Sequence, residues 1–188
     1  MGIKRLENFM TTEKQRGFET DFTLDAAVYE VWDEIEVGRK AKAKQTFLIK
    51  EEDILSYNMS ALEDDPLFVD PTAARAAGHD HVIAHPLFAV QIAFYCIEKG
   101  PGNWLRSPGA RNPGQKMHFY EPFRVGDEIT LTTTTHDKWV RRNNYYLQDR
   151  YDYHNQDGTL IAVWYATLLL PRDRAELARF AAVSGEAS

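Results

Sequence analysis

The sequence has very little cysteine and no long hydrophobic run. Cys96 is the only cysteine among 188 residues, so no intrachain disulfide can form, and a structural zinc site would need other ligands. No stretch approaches the roughly 20 apolar residues that a membrane-spanning helix requires. The first residues also lack the apolar segment of a signal peptide. These absences predict a cytoplasmic protein with no membrane partner.

The chain is also short of positive charge. It has 22 Lys and Arg against 28 Asp and Glu, which gives a formal net charge of −6. Nucleic-acid binding depends largely on Lys and Arg that displace counterions from phosphates, and docking on anionic lipid needs basic residues too. The charge balance therefore disfavours both partners. An apolar share of 44% and this length are typical of one domain with a single hydrophobic core.

The sequence predicts three short helices before residue 80. An apolar stripe at helical spacing runs through 28–35, and Gly38 would end it. A second helix follows the acidic residues 51–53, which favour the positive end of the helix dipole. A third covers 72–77 and stops at Gly78.

Two further segments of the first half are informative. Residues 45–49 predict a strand, and 60–71, with two prolines and four acids, predict a largely non-helical segment. Residues 86–99 are apolar on almost every side, and a helix of that kind belongs inside a core. Cys96 lies in this segment, where we expect an inert, buried thiol.

The second half of the chain predicts antiparallel strands. Residues 117–120, 145–153 and 160–170 are strand-like, and 128–136 alternate with Ile129, Leu131, Thr133 and Thr135 on one face. A hairpin turn joins two of these strands at 155–158, and 175–183 predict a terminal helix. A twisted antiparallel sheet wrapped around one buried helix covers the apolar surfaces of both. The predicted fold is therefore α+β, of the hot-dog kind.

Five stretches resemble a known family. They are residues 32–38 (WDEIEVG), 65–78 (DPLFVDPTAARAAG), 82–85 (VIAH), 119–127 (FYEPFRVGD) and 155–158 (NQDG). In this order and spacing they are similar to the MaoC-like acyl dehydratases and R-specific enoyl-CoA hydratases, and most closely to the fatty-acid-synthase-type dehydratase branch. We therefore expect a MaoC-like domain over 30–171, with an N-terminal extension over 1–29 and a C-terminal tail over 172–188.

The resemblance implies a reaction and a mode of assembly. The ligand would be an acyl thioester of coenzyme A or of a carrier protein, and the reaction would be syn addition of water across an α,β-enoyl thioester, or its reverse. Two such domains would pair side by side, as a homo-oligomer or as a heterodimer with a second MaoC-like subunit. No cofactor and no metal are implied.

The catalytic positions depart from the family pattern. Active members use an Asp and a His five positions later, with an Asn-Pro pair between them. Aligned on that pattern, Glu63 stands at the Asp position, Asp65 at the Asn, Pro66 at the Pro and Phe68 at the His. Hydration needs one group to take a proton from water and another to protonate the α-carbon, and Phe68 can do neither. Glu63 is a candidate catalytic residue if burial raises its pKa, or it is an ordinary solvated acid.

The remaining candidates are histidines and arginines. His85, at the start of the central helix, is a candidate catalytic residue or a structural one, and His79 or His81 would be a substitute proton donor. A metal site formed by these histidines is an alternative that the resemblance does not support. Asp65, His79 and His81 are also candidates for substrate binding. Phe68 would form the wall of an acyl channel, or it is simple packing. Arg141 and Arg142 would bind the phosphates of coenzyme A, or they belong to a solvated hairpin.

Four functions fit these residues. The first is a substrate-shaping subunit of a two-subunit hydratase or dehydratase whose partner supplies the complete Asp and His. The second is a homo-oligomeric hydratase that uses Glu63, with or without a nearby His. The third is an acyl-thioester-binding or scaffold protein without turnover, and the fourth is a thioesterase, because hot-dog folds also carry that chemistry.

Overall fold

The computed structural model describes residues 12–17, 26–97 and 107–186. Its helices are α1 (Glu13–Arg16), α2 (Glu51–Ser60), α3 (Pro66–Val69), α4 (Pro71–Ala76), α5 (Phe88–Cys96) and α6 (Arg174–Glu186). Its strands are β1 (Lys40–Lys42), β2 (Phe47–Leu48), β3 (Arg111–Phe119), β4 (Glu128–Arg141), β5 (Asn144–His154) and β6 (Leu160–Leu169). In these ranges, no helix has the length and apolar character needed to cross a bilayer.

The strands form one antiparallel sheet in the order β1-β4-β5-β6-β3, and β2 pairs with the start of β4. The predicted inward face of β4 is confirmed, because Ile129, Leu131, Thr133 and Thr135 are all buried. Among the strands described, β3 pairs only with β6, so it forms one edge of the sheet.

Helix α5 lies in the main hydrophobic core against this sheet. Phe88, Ala89, Ile92, Ala93 and Cys96 are all buried, and they pack with inward-facing side chains of β4, β5 and β6. The predicted hot-dog arrangement is confirmed. The helix is shorter than the predicted 86–99: it begins at Phe88 and ends at Cys96, and 98–99 lie outside the described residues.

Helix α5 also anchors a strand and holds the single cysteine. The hydroxyl of Tyr153 on β5 donates to the backbone carbonyl of Ala89 at 3.0 Å. Burial raises the pKa of the Cys96 thiol to about 12. The thiol is buried, as expected.

The prediction of a helix over 28–35 is wrong. The segment contains two 3-10 turns, Ala26–Val28 and Trp32–Glu34, separated by extended backbone at Val31. The backbone N–H groups of Trp32 and Asp33 donate to the carbonyls of Pro171 and Arg172, both at 3.1 Å. Tertiary hydrogen bonds therefore replace the bonds that a helix would have made.

The prediction of a largely non-helical segment over 60–71 holds only for 61–65 and Asp70: Ser60 ends α2, the single turn α3 covers Pro66–Val69, and Pro71 begins α4. Asp65 caps this turn by accepting a hydrogen bond from the Leu67 N–H at 2.9 Å. Pro66 occupies the first helical position, where its missing N–H costs nothing. Asp70 and Pro71 repeat the same arrangement at the start of α4.

Candidate functional site

The buried side chain of Asn58 positions the candidate site. Its amide group donates to the backbone carbonyls of Phe68 and Ile83, both at 2.8 Å. Its oxygen accepts from the His85 N–H at 3.1 Å. One fully buried residue of α2 therefore fixes both the α3 turn and the segment that leads into α5.

Phe68 lines an open cleft of about 370 Å³. The cleft lies between the α3 turn, the segment before α5 and the end of β3, and its walls are mostly apolar. Its polar lining residues are Tyr120 and Glu121, both exposed. The carboxylate of Glu121 lies 3.2 Å from the guanidinium of Arg124. The other walls are formed by Ile83, Ala84, Pro86, Phe119, Pro122 and Phe123.

Glu63 and Asp65 shape the loop beside Phe68. One carboxylate oxygen of Glu63 accepts hydrogen bonds from the N–H groups of Asp64 and Asp65, at 3.1 and 3.2 Å. The Glu63 N–H in turn donates to the Asn58 carbonyl at 3.0 Å. Both carboxylates therefore bind the backbone of their own loop, since Asp65 caps α3.

His85 lies on the turn beside the cleft, between Ala84 and Pro86. Its Nδ1 accepts a hydrogen bond from the Leu87 N–H at 3.1 Å, and its ring centroid lies 6.0 Å from that of Tyr57. A neutral imidazole whose Nδ1 accepts must carry its proton on Nε2. In this tautomer His85 presents a donor, which can polarise an oxygen but cannot take a proton from water.

The backbone amides at the start of α5 are already occupied or missing. Helix N-termini often present unpaired N–H groups that bind anions or developing negative charge. Here Pro86 has no N–H, the Leu87 N–H donates to His85 Nδ1, and the Phe88 N–H donates to the His85 carbonyl at 2.9 Å. The first turn therefore offers the cleft no backbone donor of this kind.

His79 and His81 lie away from the cleft lining. His79 is exposed, and its backbone N–H donates to the Ala74 carbonyl at 3.0 Å. His81 Nδ1 lies 3.4 Å from a carboxylate oxygen of Glu51, outside hydrogen-bond geometry. Among the residues described, no cluster of three His, Cys, Asp or Glu is arranged to hold a metal ion.

Arg141 and Arg142 lie at the opposite end of β4 from the cleft. Both are exposed, and the hairpin turns through Arg142 and Asn143, which have φ values of 50° and 58°. The cleft residue Phe123 comes before β4, which begins at Glu128, whereas Arg141 is the last residue of β4. At about 3.3 Å per strand residue, the two arginines stand tens of ångströms away along the strand.

A second cavity, the α5–β3 groove, lies between α5 and β3. It has a volume of about 350 Å³ and runs between α5 and β3 over the inner face of β6. Leu87, Val90 and Phe94 form its helix wall, and Trp164 and Leu168 form its floor. Tyr57 also lines it, together with Ala110, Arg111, Asn112 and Gln115.

A family model for the FAS1-like dehydratase domain region matches residues 36–163. The chain belongs to this family. A UPF0336 protein of Streptomyces griseus is 29% identical over 128 residues, which cover 66% of this chain and 85% of that protein. An (R)-specific enoyl-CoA hydratase of Rhodospirillum rubrum is 27% identical over 112 residues, which cover 60% of this chain and 74% of the hydratase.

Membership of the FAS1-like dehydratase family confirms the resemblance inferred from the five sequence stretches. A solved structure agrees with the fold: the HadBC (3R-hydroxyacyl-ACP dehydratase) complex of Mycobacterium tuberculosis superposes with a TM-score of 0.62 at 21% identity. The match covers 73% of this chain and 98% of that chain.

Sequence reasoning missed Asn58. Asn58 occupies α2 as one polar residue among several, and only its three tertiary hydrogen bonds show its role. A buried Asn in a helix signals a tertiary contact, because its amide needs partners.

Proposed function

We propose that this chain is the substrate-shaping subunit of a two-subunit acyl-thioester hydratase or dehydratase. The observation that carries the proposal is Phe68, which stands at the usual His position and lines a largely apolar cleft. A benzyl side chain transfers no proton, but it packs well against an acyl chain.

Residues beside the cleft also support this proposal, although Glu63 and His85 do not line it. The carboxylate of Glu63 accepts from two backbone N–H groups of its own loop, and His85 presents only a donor in its neutral form. The start of α5 offers no unpaired amide for a developing oxyanion. Pro86 lacks an N–H, and the N–H groups of Leu87 and Phe88 already donate to His85. The cleft therefore has walls that suit binding, while the acid, the base and the oxyanion donors would come from a partner.

The edge strand β3 supports the presence of that partner. Its nine residues pair on one side with β6, and its other backbone edge has no partner among the strands described. An unpaired edge is a template for another strand. The structural similarity to the HadBC complex favours a second dehydratase-type subunit as the occupant.

The proposal is tested by purifying the protein from its source and measuring the native mass and subunit content. We expect a second MaoC-like chain in a fixed ratio, and hydration of an enoyl thioester panel by the two chains together but not by this chain alone. Turnover by a pure homo-oligomer of this chain would contradict the proposal and favour catalysis by Glu63. Thioester binding without turnover, even with the second chain present, would instead identify a non-catalytic binding protein.

A further inference from the structure

A short segment before the family region is seated against α2 and β2. Residues 12–17, which we call the strap, lie outside the region 36–163 that the family model matches. The strap reaches the fold through Lys14, whose ammonium binds the carboxylate of Asp53 on α2. The same ammonium donates to the Leu48 carbonyl on β2 at 2.7 Å. One side chain therefore joins the strap to a helix and to a strand.

The burial of Asp53 makes this contact costly to lose. Asp53 is 0% exposed, and a carboxylate in such a site needs a cation and hydrogen bonds to offset its desolvation. One of its oxygens binds Lys14 and accepts from the Lys50 N–H at 3.0 Å, while Oδ1 has no hydrogen-bond partner. In the part of the chain that the structure describes, Lys14 supplies the only cation paired with Asp53. Without the strap, Asp53 would be a buried charge with no counter-ion.

The rest of the strap is held less firmly. None of the residues of α1 is buried, so apolar packing contributes little, and the Gln15 amide donates to the Ser56 hydroxyl at 2.9 Å. An open cavity of about 420 Å³ lies between the strap and the fold. The residues that line it are Glu13, Lys14 and Gly17 of the strap, and Gln45, Lys50, Glu52 and Tyr95 of the fold. A segment with few buried apolar contacts is one that opens at low cost.

Helix α2 connects the strap to the cleft. Asp53 lies in its first turn, and Asn58 lies about 7.5 Å further along the helix axis. The Asn58 amide holds the carbonyls of Phe68 and Ile83, and both of these residues line the cleft. A buried charge that loses its cation draws water toward it, and this would open the first turn of the helix that carries Asn58.

We propose that the strap is a detachable control element for the cleft. When Lys14 is docked on Asp53, α2 is closed and Asn58 holds the cleft walls in place. When the strap leaves, the first turn of α2 opens and the cleft walls loosen with it. A partner that captures the strap would therefore weaken binding in a cleft that it does not touch. The inference concerns the cleft whatever its ligand is, so it is independent of the proposed function.

Hydrogen–deuterium exchange of the full chain, followed by mass spectrometry, tests this coupling. Lys14→Met should speed exchange at least about tenfold in peptides from 51–60, 63–70 and 79–87, because it leaves the Asp53 charge unpaired. Strands β5 and β6 should keep their wild-type rates. Lys50→Met is the matched control, because Lys50 pairs with Glu52 in solvent, and it should leave the cleft peptides unchanged.

Asp53→Asn separates release of the strap from opening of the cleft. Asparagine removes the charge that holds Lys14, so 12–17 should exchange faster while the cleft peptides stay within about twofold of the wild type. The double variant that combines Lys14→Met with Asp53→Asn should also return the cleft peptides to wild-type rates, because no buried charge is left unpaired.

A measurement on the wild type covers the case in which Lys14→Met does not fold. In a series of sub-denaturing urea concentrations, the strap, α2 and cleft peptides should open with one common free energy, below that of β5 and β6. A cleft that opens separately from the strap would overturn the inference. So would Lys14→Met if it speeds exchange in the strap alone or in β5 and β6 as much as in the cleft, and so would a double variant whose cleft peptides stay fast.

Discussion

The side-chain amide of Asn58 donates to the backbone carbonyl of Phe68 at 2.8 Å. This bond ties the wall of the cleft to the interior of α2, because Asn58 is fully buried. The geometry of the cleft is therefore coupled to the stability of the fold, and a substitution at Asn58 should affect both.

Asn58→Ala should lower the free energy of unfolding by about 3 kcal/mol, since it leaves two carbonyls and one N–H without a partner in a buried site. Urea denaturation followed by circular dichroism measures the change. Met59→Ala is the control: Met59 is 63% exposed on the same helix, and its loss should cost less than about 0.5 kcal/mol. Equal effects of the two substitutions would contradict the assigned role of Asn58.

Lys14→Met should also destabilise the fold, by about 3 kcal/mol. The Lys14 ammonium binds the fully buried carboxylate of Asp53 and donates to the Leu48 carbonyl at 2.7 Å, so its removal leaves a buried charge without its cation. Lys50→Met is the matched control, because the Lys50–Glu52 pair is solvent-exposed. Thermal melts of the three proteins check this, and an unchanged melting temperature for Lys14→Met would refute it.

Glu63→Gln should leave kcat/KM of the proposed two-subunit enzyme within about threefold of the wild type. Glutamine keeps the oxygen that accepts from Asp64 and Asp65 but removes the charge and the proton chemistry. If Glu63 is instead the general base, the loss should be about 10²-fold or more. Initial rates with an enoyl thioester decide between the two. Glu63→Ala also removes the oxygen that accepts from Asp64 and Asp65, so it measures the effect of losing the loop hydrogen bonds.

Relative to the wild type, Asp149→Asn should stabilise the protein more at neutral pH than at pH 4. Burial raises the folded-state pKa of Asp149 well above its ordinary value, so the folded state holds its proton where the unfolded state has released it. Wild-type stability from this group is therefore present below about pH 4 and is lost as the pH rises toward the folded pKa, by up to about 1.4 kcal/mol per pH unit. Unfolding free energies of both proteins between pH 4 and 7 measure the difference, and parallel curves would contradict the shift.

Cys96 should resist alkylation in the folded protein. With a pKa of about 12, about one thiol in 10⁴ is ionised at pH 8, and the thiolate is the reactive form. The rate of iodoacetamide labelling should stay far below that of the same protein in guanidinium chloride, where the thiol is exposed. Equal rates in the two conditions would show that the thiol is accessible in the folded state.

Much of the sheet was predictable, because burial on one face leaves a two-residue period. The alternation from Ile129 to Thr135 placed β4 correctly, and the acidic residues 51–53 marked the start of α2. The predicted strand 117–120 begins six residues after the true start of β3 at Arg111 and runs one residue past its end at Phe119, since Pro113 and Gly114 hide the pattern. The structure shows a register shift between Arg111 and Gly114, on an edge strand where proline is tolerated.

The site was less predictable than the sheet. The resemblance singled out Glu63, Asp65 and Phe68, whose loop positions follow local rules of capping and turns; of the three, Phe68 lines the cleft. The role of Asn58 depends on partners far away in the sequence, such as Ile83, and no local pattern encodes such contacts. The histidine tautomer at His85 likewise depends on one bond from Leu87.

The edge of β3 that no described strand covers has a consequence for handling the protein. Any chain that adds a strand there binds the folded state and not the unfolded one, so it stabilises the fold by mass action. Apparent melting temperature should therefore rise with the concentration of that chain, and dilution should act in the same direction as a denaturant. A melting temperature measured at one concentration would therefore depend on how much of the protein has the added strand bound.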